Sequence, residues 1–105
     1  MNKVLYNVTV SVDEAVHENW LDWMKSVHIP DVMATGMFLE NRICRVLDFE
    51  EGGITYAVQY VCASADHLAR YREEFSTALQ ADHNEKFGQH CAAFRTVLEI
   101  LDEVR

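Results

Sequence analysis

The sequence is poor in the residues that separate or link folded segments. Its 105 residues include one proline, Pro30, and four glycines, and no low-complexity or linker stretch interrupts the chain. This predicts a single domain over residues 1–105. No apolar run reaches the roughly 18–20 residues that cross a bilayer, and residues 4–12 alternate too regularly for a signal peptide. We therefore expect a soluble protein with no membrane partner.

Basic residues are also scarce, and the cysteines are few. Nine Lys and Arg against seventeen Asp and Glu give a net charge of −8, which argues against nucleic acid as a partner, because phosphate binding needs clustered cations. The three cysteines form no Cys-x-x-Cys pair and lie in apolar surroundings. Free thiols in a reducing compartment are the expected state, which predicts a cytoplasmic location.

The motifs of several enzyme classes are missing. The sequence has no phosphate-cradling glycine loop and no Gly-x-Ser-x-Gly elbow. Glu14 and His17 lie three residues apart, but no second histidine completes a zinc site. His83 and His90 are expected at the surface, and Cys91 follows His90 directly, so the two side chains would point to opposite faces of a strand. We predict no metal and no cofactor.

Period-two alternation predicts four strands, over Lys3–Val12, Met37–Leu47, Ile54–Cys62 and Ala92–Leu101. The second strand loses its alternation near Asn41 and Arg42, which indicates a bulge or an edge position. The segment DFEEGG, residues 48–53, predicts a hairpin loop between the second and third strands.

Helical periodicity predicts two helical regions between these strands. A capping box at residues 11–14, with Asp13 as the alternative cap, should begin the first helix. Its buried arc is predicted to be Val16, Trp20, Trp23, Met24 and Val27. Pro30 should break this helix and start a short second one, Asp31 to Thr35, that stops at Gly36. Ser64 should cap the next helix, which is expected to break at Asp82.

The order strand-helix-strand-strand-helix-strand predicts an α+β, ferredoxin-like βαββαβ fold. Right-handed crossovers then give a four-stranded antiparallel sheet of order 4-1-3-2 with both helices on one face. We assign Tyr6, Val8, Tyr56, Val58, Phe94 and Leu98 to the helix side. The helix-free side would then present Leu5, Asn7, Thr9, Ala57, Gln59, Val61, Arg95 and Val97. This mixed face predicts a homodimer through the helix-free side, although a monomer with one solvated face stays open.

The whole chain resembles the dimeric α+β barrel superfamily of ferredoxin-like proteins, and is most similar to a small bacterial family of unknown function. The segment from Trp23 to Gly36, with a tryptophan, His-x-Pro and a glycine, also resembles the first helix of EthD-like proteins. The superfamily includes cofactor-independent monooxygenases, haem-degrading enzymes, isomerases and chlorite dismutases, so the resemblance implies a fold more than a chemistry. The stretches that carry it are Tyr6–Val10, Trp20–Met24, His28–Asp31, Gly52–Tyr60 and Ala93–Thr96.

The resemblance implies a pocket inside each subunit, between the helices and the sheet. Ten residues could line it: Tyr6, Trp20, Trp23, His28, Phe38, Arg42, Tyr56, Tyr60, Tyr71 and Phe75. Such an aromatic cavity suits a small planar or hydrophobic organic ligand, whereas the alternative is that these aromatics only fill the core.

His28 is the candidate catalytic acid or base, because its intrinsic pKa is near neutral. The alternative is a histidine that caps the end of the first helix. Arg42, or a tyrosine, would stabilise an oxyanion if it points inward; otherwise Arg42 is an edge-strand charge that guards against aggregation. We predict cofactor-free oxygenase or isomerase chemistry, with haem as the alternative cofactor and a non-enzymatic dimeric binding module as the alternative function.

Overall fold

The computed structural model describes residues 2–48 and 52–104. The helical regions and strands follow one another in the predicted order. The elements are β1 (Val4–Val12), α1 (His17–Trp23), a π-helical segment (Met24–His28), α2 (Ile29–Ala34), β2 (Glu40–Arg45), β3 (Ile54–Cys62), α3 (Ala65–Glu74), α4 (Ser76–Phe87), a 3-10 turn (Gly88–His90) and β4 (Cys91–Glu99).

The four strands form one antiparallel sheet in the order β2-β3-β1-β4, which confirms the predicted topology and the α+β class. Strands β1 and β3 pair along their full length, from Val4 opposite Cys62 to Val12 opposite Ile54. Their even-numbered side chains face the helices, and most of them are buried. The sheet therefore presents one face to the helices, and its two central strands form the floor of the core.

The helices cover only this face. The core joins the sheet residues to one or two side chains from each of α1, the π-helical segment, α2, α3 and α4. Burying such side chains contributes roughly 1.5–3 kcal/mol each, so the packing of the helices on the sheet is a main source of stability. The buried helical residues are Trp20, Met24, Ile29, Val32, Leu68, Tyr71 and Phe87.

The prediction that Pro30 breaks the first helix is wrong. The chain stays helical through a π-helical segment, in which the Ile29 N–H bonds to the Met24 carbonyl five residues earlier. This wider turn holds one residue more than an α-helical turn, and Pro30 follows it in the first turn of α2, where a missing N–H is tolerated. The extra residue moves the buried face by one position, so Ile29 is 8% exposed and Val27 is 41% exposed.

Two predicted helix boundaries are also wrong. Helix α1 begins at His17 after Val16, with no side-chain cap, so the predicted capping box does not form. The later break lies at Phe75, whose φ of −125° is not helical, and α4 then continues through Asp82 to Phe87. The cap at Ser64 is confirmed, because its side chain accepts a hydrogen bond from the His67 N–H.

Strand β2 is shorter than predicted and lies at the edge of the sheet. Residues 49–51 of the predicted hairpin loop lie outside the described part of the chain. Beyond them, Gly53 has a φ of +83°, and a Cβ atom there would lie 2.6 Å from the Val12 carbonyl oxygen. Glycine at this position therefore allows the close approach of β1 and β3 at the start of their pairing.

The faces assigned to β4 are reversed. Val8 of β1 lies opposite Arg95, so Arg95 and Val97 face the helix side, whereas Phe94 and Leu98 face the other side. Strand β4 lies at the opposite edge of the sheet from β2, and eight of its nine residues are exposed. The helices therefore bury neither face of β4, and the more apolar set of side chains need not be the one that faces them.

Candidate functional site

A cavity of about 230 Å³ lies between the sheet and the helices. This volume is below the roughly 300–1,000 Å³ of drug-sized pockets, so the cavity fits a ligand of one or two fused rings and is too small for a haem. Its wall takes residues from β1, β3, β4, the π-helical segment, α2, α3 and α4. The lining residues are Tyr6, Val8, Val10, Met24, His28, Val32, Val58, Tyr60, Tyr71, Leu79, Gln80, His83, Asn84, Cys91, Ala93 and Arg95.

His28 lines this cavity, as the sequence predicts for the candidate base. It is the last residue of the π-helical segment, and its ring lies 5.7 Å from the His83 ring, centroid to centroid. Burial and the neighbouring His83 together lower the pKa of His28 to about 4, against the opposing effect of the Asp31 and Asp82 carboxylates. His28 is therefore neutral at pH 7 and can accept a proton or a hydrogen bond.

His83 was predicted to be a surface residue, and this is wrong. The indole Nε1–H of Trp20 donates a 2.9 Å hydrogen bond to Nε2 of His83. Because an indole nitrogen only donates, His83 Nε2 carries no proton, and the neutral ring is the Nδ1–H tautomer. Burial lowers the pKa of His83, a hydrogen bond that the ring donates to the Asn84 side chain raises it, and the Arg95 charge lowers it.

The spacing of residues in α4 indicates that His83 faces inward. Because α4 runs without a break to Phe87, Leu79, His83 and Phe87 follow one another at intervals of four residues and share one helix face. Two of these residues are apolar and pack in the core. A helix extended past Asp82 would therefore have predicted that His83 faces inward.

Three tyrosines form the other side of the cavity. Tyr6, Tyr60 and Tyr71 line it, and Phe38 packs behind them, with its ring 4.7 Å from Tyr71 and 5.0 Å from Tyr60. Burial raises the pKa of Tyr71 to about 12 and raises that of Tyr60 as well. Both hydroxyls are therefore protonated at neutral pH and can donate hydrogen bonds to a ligand.

Other aromatics predicted to bind ligand lie outside the cavity wall. Trp20 is fully buried and packs on Tyr56 at 4.9 Å between ring centroids. Trp23 stacks on His28 at 5.3 Å, and Phe75 packs against the core. These residues pack behind the cavity wall, as Phe38 does. For them, the structure agrees with the alternative that the aromatics fill the core.

Arg42 does not lie in the cavity. It is exposed on β2 opposite Gln59, and Gln59 lies opposite Asn7 on the helix-free face. The alternation of a strand therefore directs Arg42 away from the helices, and the predicted role for it in an intrasubunit pocket is corrected. The arginine that lines the cavity is Arg95, which the reversed assignment of β4 had placed on the other face.

A model of DUF4286, a domain of unknown function, matches residues 3–101. The chain belongs to the DUF4286 family. No functionally curated protein matches this DUF4286 chain significantly.

Solved structures confirm the fold and the predicted resemblance. A dimeric ferredoxin-like protein from an uncultured marine organism is similar with a TM-score of 0.75, at 12% identity over 98% of each chain. SnoaB, a cofactor-independent oxygenase from Streptomyces nogalater, has a TM-score of 0.74 at 12% identity, over 99% of this chain and 98% of its own. An ethyl tert-butyl ether D (EthD) family protein from Bacillus halodurans C-125 has a TM-score of 0.66 at 9% identity, over 89% and 96%. At these identities, the likeness shows the fold alone.

Two further observations apply to the described part of the DUF4286 chain. No group of three His, Cys, Asp or Glu residues in it is arranged to hold a metal ion. None of its helices has both the length and the apolar character to cross a membrane. The polar groups that line the cavity are its histidines, tyrosines, arginine, amides and the Cys91 thiol, whose pKa burial raises to about 11.

Proposed function

We propose that the cavity binds a small planar organic molecule and that His28 removes a proton from it. The observation that supports this is the presence, in one cavity wall, of a neutral histidine and buried, protonated tyrosine hydroxyls. Removal of a proton next to a carbonyl gives an enolate, which is the first step of both isomerisation and cofactor-free oxygenation. The fold shared with a cofactor-independent oxygenase supports this class of chemistry.

The proposed step uses groups that all line the cavity. The imidazole of His28 accepts the proton from the carbon next to the carbonyl, and the C–H electron pair moves onto the carbonyl oxygen. A tyrosine hydroxyl, from Tyr60 or Tyr71, donates a hydrogen bond to this oxygen and stabilises its developing charge. The negative charge raises the pKa of His28 from its low value in the empty cavity, because an opposite charge favours the imidazolium. The base therefore becomes stronger as the enolate forms.

This proposal is tested with 2-tetralone, a two-ring ketone that fits the cavity and enolises readily. We expect the protein to catalyse exchange of the C1 protons for deuterium in D₂O, followed by NMR, and the variant His28→Ala to lower this rate at least about 100-fold, as for loss of a general base. The control His90→Ala removes an exposed histidine that pairs with Asp13 outside the cavity and should keep the full rate.

The alternative outcomes separate the candidate functions. Exchange that His28→Ala leaves unchanged would contradict the role of His28. Binding of 2-tetralone without any exchange would favour the non-enzymatic binding module. A large loss of melting temperature in His28→Ala with unaltered ligand binding would identify this histidine as a structural residue.

We propose that the chain forms a homodimer through the helix-free face of the sheet. Two apolar side chains on this face are exposed, Phe94 at 63% and Leu98 at 44%, and Leu5 lies directly opposite Leu98 on β1. Exposed apolar surface of this kind on a sheet is typical of an interface between copies. Similar proteins described as dimeric ferredoxin-like support the proposal.

The dimer proposal predicts that Phe94→Asp produces a monomer. Light scattering after size exclusion should give twice the chain mass of 12.1 kDa for the wild type and the single mass for the variant, because a buried carboxylate in the interface would be unpaired. The matched control is Val97→Asp on the helix side of the same strand, where the side chain is 47% exposed. A wild type of single mass, or equal dissociation by both variants, would contradict this interface.

The cysteines support the proposed cytoplasmic location. Cys44, Cys62 and Cys91 are all free thiols, and Cys62 is fully buried, with its Sγ donating to the Val4 carbonyl. Free thiols of this kind persist in a reducing compartment.

A further inference from the structure

The charges in the cavity wall have one sign. The chain as a whole carries seventeen acidic and nine basic residues. Among the described residues, however, no aspartate or glutamate lines the cavity, and Arg95 is the lining residue with a permanent charge. The net charge of −8 repels anions at long range, whereas the charge of the cavity wall is positive. A carboxylate in the wall would oppose an anionic ligand, and none of the residues that the structure describes places one there.

Arg95 is placed to act on the inside of the cavity. It lies on β4 opposite Val8, and both residues line the cavity. Tyr71 and His83 line the same cavity, so the guanidinium, this hydroxyl and this imidazole border a common space. The Arg95 charge opposes the effect of burial on the pKa of Tyr71 and adds to the effect of burial on that of His83. The ion pairs within the described residues join Lys3 to Glu103, Arg70 to Glu74 and His90 to Asp13, which leaves the Arg95 guanidinium available to a ligand.

We propose that the ligand is an aromatic or unsaturated carboxylate whose acid group is bound by Arg95 and by the Tyr71 hydroxyl. A guanidinium binds a carboxylate through two parallel N–H···O bonds, which fixes the plane of the ligand. The rings would then extend between the tyrosines and the two histidines, towards His28. This inference rests on the proposed function, because it specifies the ligand class of the same cavity.

The test uses two probes of the same shape and different charge, 2-naphthoate and 2-naphthamide, with binding measured by isothermal titration calorimetry at pH 7.5. We expect wild-type protein to bind the carboxylate at least about 10-fold more tightly than the amide. Arg95→Gln should weaken naphthoate binding about 10- to 100-fold, as for loss of a charge-assisted hydrogen bond, and leave naphthamide binding unchanged. Arg95→Lys, which keeps the charge but loses the fork, should give an intermediate affinity.

The matched control is Arg42→Gln, which removes the same charge from the opposite face of the sheet and should bind both probes as the wild type does. Melting temperatures of all variants establish that each is folded. Equal affinity of the wild type for the two probes, or equal losses in Arg95→Gln and Arg42→Gln, would overturn the inference. If 2-tetralone exchange depends on His28 but naphthoate is not preferred, the inference fails and the proposed function stands. If naphthoate binding depends on Arg95 and no exchange occurs, the inference holds for a binding protein and the proposed proton transfer fails.

Discussion

Replacing Trp20 with alanine is expected to lower the free energy of unfolding by about 4 kcal/mol, the cost of removing a large aromatic side chain from a well-packed core. Trp20 is fully buried and contacts Tyr56 beneath it. In a domain of this size the loss corresponds to a melting temperature lower by roughly 15–30 °C. Calorimetry and urea unfolding of the purified variant measure both quantities.

A second substitution at Trp20 separates packing from the hydrogen bond to His83. Trp20→Phe keeps most of the ring but removes the Nε1–H donor, so we expect a smaller loss, about 1–3 kcal/mol. His83 should then lose its fixed tautomer, which ¹⁵N NMR of the imidazole nitrogens detects. Trp23→Phe is the matched control and should leave the His83 tautomer unchanged. A His83 spectrum that is unchanged in Trp20→Phe would contradict the assignment of the tautomer to this bond.

Deleting Lys25 is expected to destabilise the protein by about 3 kcal/mol and to abolish ligand binding. Lys25 is an exposed residue of the π-helical segment, and its removal would leave an α-helical count of residues between Met24 and Ile29. Pro30 would then lie in the interior of a regular helix, where it lacks a donor and clashes with the carbonyl four residues earlier. The turn that ends at His28 would also close, which would move this ring relative to the cavity.

The deletion has a specific rescue. Pro30→Ala combined with the Lys25 deletion should regain most of the lost stability, because an uninterrupted helix can then place Trp20, Met24, Ile29 and Val32 on one face. Ligand binding should stay lost in this double variant. Urea unfolding measures the coupling between the two changes. Independent, additive effects would show that the proline and the extra residue are not matched to each other.

The sequence predicted the sheet well where burial on one face enforces the alternation of side chains. β1 and β3 are central strands under the helices, and the predicted ends of β3 agree with the structure at Ile54 and Cys62. The same argument failed for β4, because its residues are exposed on both faces. The alternation of side chains indicates which side of a strand is buried. It cannot assign the faces of a strand that is exposed on both sides.

The candidate site was predicted in part for a similar reason. His28 was identified from the near-neutral pKa of a histidine next to Pro30, and the three tyrosines were identified as aromatic residues that could line the pocket implied by the resemblance. Arg95 and His83 were missed, since each depends on the register or the length of an element and not on its own residue type. The π-helical segment was also missed, because a proline in a helical pattern predicts a break, and a one-residue insertion has no composition signal of its own.

The stacking of Trp23 on His28, at 5.3 Å, gives the protein an intrinsic optical signal at its candidate site. A protonated imidazole quenches the emission of an adjacent indole by electron transfer, whereas a neutral imidazole does so weakly. Trp23 is the half-buried tryptophan, and Trp20, further inside, contacts His83. Protonation of His28 by a bound substrate would therefore quench the emission of Trp23 and leave that of Trp20 unchanged. The tryptophan fluorescence of the unlabelled chain would then report the charge on the candidate base.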